Sequence, residues 1–382
     1  MERSGMIPLW KLKRELKRPV DQLHSLVRLP FDIVTKWRHD NSFHARIKLT
    51  KGQQPSGQKF AILLIYQPKG LAASTFKTCR HLIENGYSVL LVSNTALTDD
   101  ARAMLAPVTW QILERPNVGY DFGGYRDGLR ILREANVDMQ SLVVLNDSIW
   151  WPLCDGDRSL QVMEGLGVDF GGMILRPPGK ARKRATNRTP HLQSYFFWFG
   201  PKVLASEAFN GFWKNYPLSS FKYNTIRQGE LRLTKTLLDA GFSVAPLFSF
   251  EALMEKLATK PNDYLRKVIH YGAYRFPEMA ETAAALEGAE TLDDIWRSAA
   301  FDLFRTMESR SEFHLALRFA CVDLLDLNFL KRSAAEPKDS LHHVGRGKYL
   351  EAVRKGDLPA PTPLVLAEIE ERHRSGAAAV GR

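Results

Sequence analysis

The sequence predicts an α/β fold whose mostly parallel sheet carries helices on both faces. Apolar runs such as FAILLIY (60–66) show no polar alternation, which is typical of strands buried on both faces. A segment of helical periodicity, residues 74–87, separates this run from the next one at 88–94. Such a strand–helix–strand unit is the building block of parallel sheets.

The same alternation continues to about residue 260. Further apolar runs predict strands at 108–113, 141–148, 170–176 and 194–200. Helices are predicted from about Gly123, over 203–215 and over 228–240, where Gly241 ends the last one. Beyond residue 260, apolar stripes at helical spacing predict a helical subdomain.

Three regions follow from these patterns. Residues 1–58 form a basic extension that closes with the linker KGQQPSGQ (51–58), residues 59–260 form the α/β domain, and residues 261–382 form a helical region with a flexible tail. In the extension, Leu9, Leu12 and Leu16 follow helical spacing among many basic residues. Such a stretch either lies on an anionic membrane surface or docks its leucines on the protein's own core.

Charge and cysteine content narrow the class of protein. The formal net charge of +11 attracts nucleic acid, anionic lipid or phosphorylated substrates. No apolar run approaches the roughly 20 residues of a membrane-spanning helix, and no signal peptide opens the chain. The three cysteines lack C-x-x-C spacing, which argues against a cysteine zinc site. A cytoplasmic location is expected.

Small, polar and acidic residues follow four successive predicted strands. They occur in QPKG (67–70), SNTALTDD (93–100), ERPNVGYDFGGYRD (114–127) and NDSIWWP (146–152). The carboxyl ends of parallel strands meet at one edge of a sheet, where ligands bind in open α/β proteins. The sequence therefore predicts a ligand site at this edge.

Two of these loops carry the most informative chemistry. Glycines before a helix let backbone N–H groups approach an anion, although tight packing against the sheet is an alternative. Asn117 and Asp121 can accept hydrogen bonds from sugar hydroxyls or cap the helix. Asp147 can hold a divalent cation that bridges two phosphates, or cap a turn together with Ser148. Neither a P-loop nor a G-x-G-x-x-G dinucleotide fingerprint is present.

Three motifs in this order resemble the rhamnan synthesis protein F family. They are N-x-G-x-D-x-G-x-x-x-x-G-L from Asn117, L-N-D-S-x-x-x-P around Asp147, and H-x-Q-S-Y-F from His191, and the resemblance spans about 60–250. It implies a bacterial glycosyltransferase of polysaccharide or lipopolysaccharide assembly with a GT-A-like, Rossmann-type fold. It favours dTDP-rhamnose as the nucleotide-sugar donor, and a lipid-linked or polysaccharide acceptor at the inner face of the plasma membrane.

The resemblance also implies roles for residues. The donor would contact Asn117, Gly119, Asp121, Gly123, Gly124, Asn146, Asp147 and Ser148. The acceptor side would hold His191, Gln193, Ser194 and Tyr195. Glu230 would be the catalytic base, with Asp121 and Asp127 as competitors. Asp147 would bind Mg²⁺ or Mn²⁺, but Asn-Asp-Ser replaces the usual D-x-D, which leaves metal dependence open.

Other features keep alternatives open. The run RPPGKARKRATNR (176–188) has six basic residues, which would cover the diphosphate, contact an anionic acceptor or remain solvated. Trp150 and Trp151 would stack on a sugar or base, or belong to the core. The alternatives to a transferase are a non-catalytic sugar-nucleotide-binding or scaffold protein and a nucleic-acid-binding protein. The basic run contains no aromatic residue, which disfavours nucleic acid.

Overall fold

The structure, a computed structural model, describes residues 31–177, 190–219, 221–332 and 340–378. The leucines of the basic extension and most of the basic run 176–188 lie outside the described residues. Within the described ranges, no helix is both long and apolar enough to cross a bilayer.

The strands form one large sheet and one small sheet. They are β1 (Lys48–Lys51), β2 (Lys59–Ile65), β3 (Tyr87–Ser93), β4 (Gln111–Glu114), β5 (Ser141–Asn146), β6 (Ile149–Trp150), β7 (Phe170–Arg176), β8 (His191–Leu192), β9 (Phe196–Phe199), β10 (Val244–Phe248) and β11 (Leu330–Lys331). The large sheet has the order β1-β4-β3-β2-β5-β9-β7-β10, with β8 paired to β7, and β6 pairs with β11. Strands β2 to β5 are mutually parallel, whereas β9 runs antiparallel between β5 and β7.

The helices alternate with the strands and then fill the C-terminal region. They are α1 (31–41), α2 (Phe43–Arg46), α3 (Ala73–Glu84), α4 (Asp99–Leu105), α5 (Tyr120–Glu134), α6 (Ser159–Gly165), α7 (Pro201–Ala205), α8 (Glu207–Asn215), α9 (Lys222–Thr225), α10 (Arg232–Asp239), α11 (Phe250–Ala258), α12 (Asn262–His270), α13 (Pro277–Glu287), α14 (Asp294–Arg310), α15 (Phe313–Ala316), α16 (Arg318–Leu325), α17 (Leu341–Arg354) and α18 (Pro363–Ala378). A 3-10 turn covers Ala106–Val108, and a π-helical turn covers Ile226–Leu231.

Strand β2 divides its side chains between two cores, one on each face of the sheet. Ala61 and Leu63 pack with α3 and with C-terminal helices such as α14. Ile62 and Leu64 pack with α5, α8 and α10 on the opposite face. The predicted fold class, an α/β fold whose mostly parallel sheet has helices on both faces, is therefore confirmed.

Several boundaries differ from the prediction, each for a local reason. Helix α5 begins at Tyr120 rather than near Gly123, because Gly119 adopts a φ of 78° and acts as its N-cap. The strand expected at 108–113 starts at Gln111, after the 3-10 turn. The helix expected at 203–215 is interrupted at Ser206, whose hydroxyl caps α8.

The segment expected as a linker, residues 51–58, contacts the sheet at its start. Lys51 ends strand β1, which pairs antiparallel with β4. The nitrogen of Gly52 then donates to the carbonyl of Trp110 at 2.8 Å. The domain boundary at residue 58 stays a prediction. Strand β1 precedes this boundary in the sequence, yet it belongs to the large sheet.

A buried ionic cluster fixes α1 to α5. Asp127 of α5 is fully buried and accepts from Arg115 Nε at 2.6 Å and contacts His39 Nε2 at 2.9 Å. Next to it, Arg126 donates to both carboxylate oxygens of Asp40, at 2.7 and 2.9 Å. Asp127, a competing candidate for the catalytic base, is therefore enclosed by its own ion pairs, and we assign it to the scaffold.

Candidate active site

The glycines at the start of α5 allow close packing. A Cβ atom on Gly123 would lie 2.0 Å from the carbonyl oxygen of Val118, and one on Gly124 would lie 2.4 Å from Leu64 of β2. These contacts favour the packing interpretation that the sequence left open. Asn117 is exposed on the loop before Gly119. Contact of this loop with a donor remains a prediction.

Asp121 joins the first motif to the second. Its Oδ2 accepts from Asn146 Nδ2 at 3.0 Å, so the first turn of α5 meets the end of β5. The side-chain oxygen of Asn146 in turn accepts from the backbone N–H of Ser148 at 3.0 Å. The amide of Asn146 is thereby held in one orientation, and it fixes the Asp121 carboxylate at the carboxyl edge of the sheet.

The side chain of Asp147 accepts hydrogen bonds from residues that follow strand β2. Its Oδ2 accepts from the backbone N–H of Tyr66 and from Gln67 Nε2, both at 3.0 Å. Burial raises the pKa of Asp147, although these donors and the nearby Arg332 act in the opposite direction. The Arg332 backbone N–H donates to the carbonyl of Ser148 at 2.6 Å, which places this cationic residue beside the motif.

The surroundings of Asp147 do not fit a resident divalent cation. Its neighbours are N–H donors and a guanidinium, whereas Mg²⁺ and Mn²⁺ prefer oxygen ligands. Among the described residues, no three His, Cys, Asp or Glu side chains are arranged to hold a metal. An ion at Asp147 would depend on oxygen ligands from a bound donor.

Glu230 contacts the third motif. Its Oε1 accepts from the backbone N–H of Ser194 at 2.9 Å, and the Ser194 carbonyl accepts from the hydroxyl of Tyr125 at 2.9 Å. Glu230 lies in the π-helical turn, an element often found at functional sites. Gly229 lets this turn pack on α5, because a Cβ there would lie 2.7 Å from the ring of Phe122.

The acidic residues of this region act on one tyrosine, Tyr125. Burial raises the pKa of Tyr125 well above its ordinary value, and the carboxylates of Asp121, Asp147 and Glu230 raise it further. Burial also raises the pKa of Glu230, against the lowering effect of the Ser194 N–H group and Lys331. The structure thus brings together the acidic residues that the three motifs supply.

Lys331 and Glu312 complete the cluster, and the sequence did not single them out. Lys331 Nζ lies 4.6 Å from the ring centroid of Tyr195. Burial lowers the pKa of Lys331, while Glu312, Glu230 and Asp121 favour its charged form. The segment NFLKR (328–332) offered a signal, because an apolar pair followed by two basic residues resembles the end of a short buried strand.

The residues predicted for the acceptor side fall into two groups. Gln193 donates to Glu312 Oε2 at 2.9 Å, and Ser194 contacts Glu230. His191 and Tyr195 are buried, the first in β8 beside Arg176 and the second under Lys331. Burial raises the pKa of Tyr195 well above its ordinary value, and Glu312 adds to this effect.

The two tryptophans after β5 belong to the core. Trp150 and Trp151 are 2% and 1% exposed. Trp150 Nε1 donates to Glu368 of α18 at 2.9 Å, and the same carboxylate accepts from Arg332 and from Ser74 of α3. Both rings are therefore buried in the core rather than open for stacking on a sugar or base, and Trp150 links α18 to the segment after β5.

Comparisons with known proteins agree with the motifs. The family model of rhamnan synthesis protein F (RgpF) matches residues 89–317. The uncharacterized protein y4gN of Sinorhizobium fredii is 34% identical over 266 residues, which cover 70% of this chain and 68% of that protein. The family match begins within β3 and ends just after α15.

Similar solved structures include two transferases. The mannosyltransferase PcManGT from Pyrobaculum calidifontis, in complex with GDP-Man and Mn²⁺, is 12% identical, with coverage of 95% of this chain and 91% of that chain and a TM-score of 0.30. The glycosyltransferase GlyE of Streptococcus pneumoniae is 12% identical, with coverage of 66% and 64% and a TM-score of 0.32. Because the family model matches more than half of the chain, the chain belongs to the rhamnan synthesis protein F family.

Proposed function

We propose that this member of a polysaccharide-synthesis glycosyltransferase family transfers a sugar from a nucleoside-diphosphate donor, with dTDP-rhamnose favoured, to a growing cell-surface polysaccharide or lipopolysaccharide. One observation carries the proposal: three separate motifs meet at the carboxyl edge of the sheet. The Asp121–Asn146 contact joins the first motif to the second, the hydrogen bond from the Tyr125 hydroxyl to the Ser194 carbonyl joins the first to the third, and Ser194 also contacts Glu230. The transfer needs a base for the acceptor hydroxyl and positive charge for the leaving diphosphate.

Glu230 has the properties of the base. The Ser194 N–H group orients one carboxylate oxygen, which leaves the carboxylate able to accept a proton from an acceptor hydroxyl. Its raised pKa strengthens it as a base compared with an exposed glutamate. Asp121 is held by Asn146 on the donor side, so we assign it to donor positioning rather than to proton transfer.

Lys331 supplies positive charge beside these carboxylates. The charges of Glu312, Glu230 and Asp121 favour its protonated form, whereas burial lowers the pKa of Lys331. A buried ammonium stabilises developing negative charge more strongly than an exposed one, because the local dielectric is low. We assign Lys331 to the leaving diphosphate.

The function is tested by donor turnover. The native chain is expected to release dTDP from dTDP-rhamnose in a panel of nucleotide sugars, measured with and without Mn²⁺. Lys331→Met is expected to lower this turnover about a hundredfold, as when a transition-state donor is removed. Lys235→Met is the control, because Lys235 pairs with Asp239 on the surface of α10. Donor binding without turnover would favour a scaffold protein. Equal turnover in both variants would show that Lys331 does not stabilise the leaving diphosphate.

We also infer contact with an anionic membrane at the inner face of the plasma membrane. On α1, Phe31, Ile33 and Trp37 are 68%, 66% and 65% exposed, next to a basic N-terminal segment. Such apolar and aromatic side chains insert at the lipid interface, while basic residues attract anionic lipid.

A matched pair of variants tests this contact. Ile33→Ser is expected to weaken co-sedimentation with phosphatidylglycerol vesicles about tenfold, from the lost burial of one large apolar side chain. Ile295→Ser is the control, because Ile295 is 80% exposed on α14. Added salt should weaken binding of the native chain. Equal loss in both variants, or no loss, would contradict the assignment to α1.

A further inference from the structure

A cavity of about 790 Å³ lies next to the proposed active site. It is bounded by the end of β7, the turn before β9, the end of α14 with the following α15, and the start of α17. Its lining includes Arg176, Gln193, Glu308, Ser311, His314 and His342. Its volume falls in the range of about 300–1,000 Å³ that is usual for small-molecule sites.

Several buried polar atoms of the lining find no hydrogen-bond partner among the described residues. They are Gln193 Oε1, Ser311 Oγ and His314 Nδ1, whereas His314 Nε2 lies 3.5 Å from Glu312 Oε2. Gln193 is 5% exposed and His314 is fully buried, so bulk water does not readily serve these groups. Each buried polar atom left without a partner costs about 1–3 kcal/mol, so this set is unusual unless a ligand completes it.

The chemistry of these atoms fits hydroxyl groups. Gln193 Oε1 accepts, and Ser311 Oγ both donates and accepts. Burial lowers the pKa of His314 to about 3, so its ring is neutral, and Nδ1 donates or accepts according to the tautomer. A sugar, whose hydroxyls donate and accept in turn, matches this mixture better than an anion, which only accepts.

The charges of the cavity also favour a neutral ligand. Arg176 lies 3.5 Å from the carboxylate of Glu312, and Arg305 contacts Asp302 at 3.0 Å. These two guanidinium groups are therefore already balanced by carboxylates. The third guanidinium of the lining, Arg275, shares the wall with the carboxyl groups of Glu251 and Glu308. Burial, with Glu251 and Glu312 nearby, raises the pKa of Glu308 to about 7. The lining therefore carries no large excess of positive charge that would select a phosphate.

The cavity shares a wall with the site. Gln193 lines the cavity and donates to Glu312, and the next residue, Ser194, holds Glu230. We propose that this cavity, walled by the C-terminal helical region, is a subsite for neutral sugar units of the acceptor. This inference rests on the proposed transferase function, and it extends the acceptor side beyond the third motif to Ser311 and His314.

Two serines on one lip of the cavity give a matched test. Ser311→Ala removes the unpartnered hydroxyl, whereas Ser309→Ala removes a hydroxyl that already donates to the Thr306 carbonyl at 3.0 Å. Saturation-transfer NMR would measure the Kd of para-nitrophenyl α-L-rhamnoside and α-D-glucoside, and calorimetry the Kd of dTDP. Ser311→Ala should raise a glycoside Kd about three- to tenfold, Ser309→Ala should not, and neither should change the Kd of dTDP.

The outcomes separate this inference from the proposed function. Binding of dTDP with no glycoside binding, or with equal glycoside Kd values in both variants, would overturn the cavity assignment and leave the transferase proposal standing. Glycoside binding that only Ser311→Ala weakens, without any dTDP binding, would keep the saccharide site and remove the transferase function. Absence of both would overturn both.

Discussion

Glu230→Gln is expected to lower sugar transfer about a thousandfold, within the range found when a general base is removed. The glutamine oxygen can still accept from the Ser194 N–H group, so the π-helical turn should keep its position. Only the ability to take a proton is lost. The expected result is a fall in kcat with an unchanged Kd for dTDP, measured by dTDP release and calorimetry.

The pH profile of the native chain provides a second measurement. Burial raises the pKa of Glu230, and only its ionised form can act as a base, so turnover should rise with pH through a value above 4.5. Glu230→Gln should remove this limb of the profile. Glu255→Gln is the control, because Glu255 is exposed on α11. Native-like turnover in Glu230→Gln would assign the proton transfer to another group.

Asp127→Ala is expected to lower the free energy of unfolding by about 3–5 kcal/mol, because it leaves a buried charge without its partner. Arg115 and Asp127 are both completely buried side chains in contact at 2.6 Å, and His39 shares the same carboxylate. Urea unfolding would measure the loss. The site itself should be affected only through α5, which carries Asp121 as well as Asp127.

An exposed ion pair serves as the control for this stability prediction. Asp302 pairs with Arg305 at 3.0 Å, but both side chains are mostly exposed. Asp302→Ala should therefore cost less than about 1 kcal/mol. If both substitutions lowered the free energy of unfolding by the same small amount, the buried cluster would not be the main link between α1 and α5.

The parts of the fold that depend on local patterns were predictable. The runs 60–66, 88–94 and 170–176 became strands because each is apolar on both faces, and a parallel sheet buries both. The contact between Asp121 and Asn146 agrees with the same reasoning, since Asp121 comes after β4, Asn146 ends β5, and the carboxyl ends of parallel strands lie at one edge of the sheet. The resemblance placed Glu230 near the third motif, and the structure shows the Ser194 contact.

The parts that depend on distant contacts were not predictable. Strands β6 and β11 contain two residues each, which is too short for any periodicity, yet their pairing brings Lys331 to the site from far along the chain. The function of the glycines was also ambiguous in sequence. A glycine is needed wherever another group approaches the backbone closely, whether that group is a ligand or a packed side chain such as Leu64. The partners of Asp127 lie 12 and 88 residues away.

The attachment of α1 has a consequence for how the enzyme meets its substrate. His39 and Asp40 of α1 pair with Asp127 and Arg126 of α5, the helix whose first turn carries Asp121. A lipid surface that held the apolar side of α1, as proposed above, would therefore also set the orientation of the proposed active site relative to the membrane.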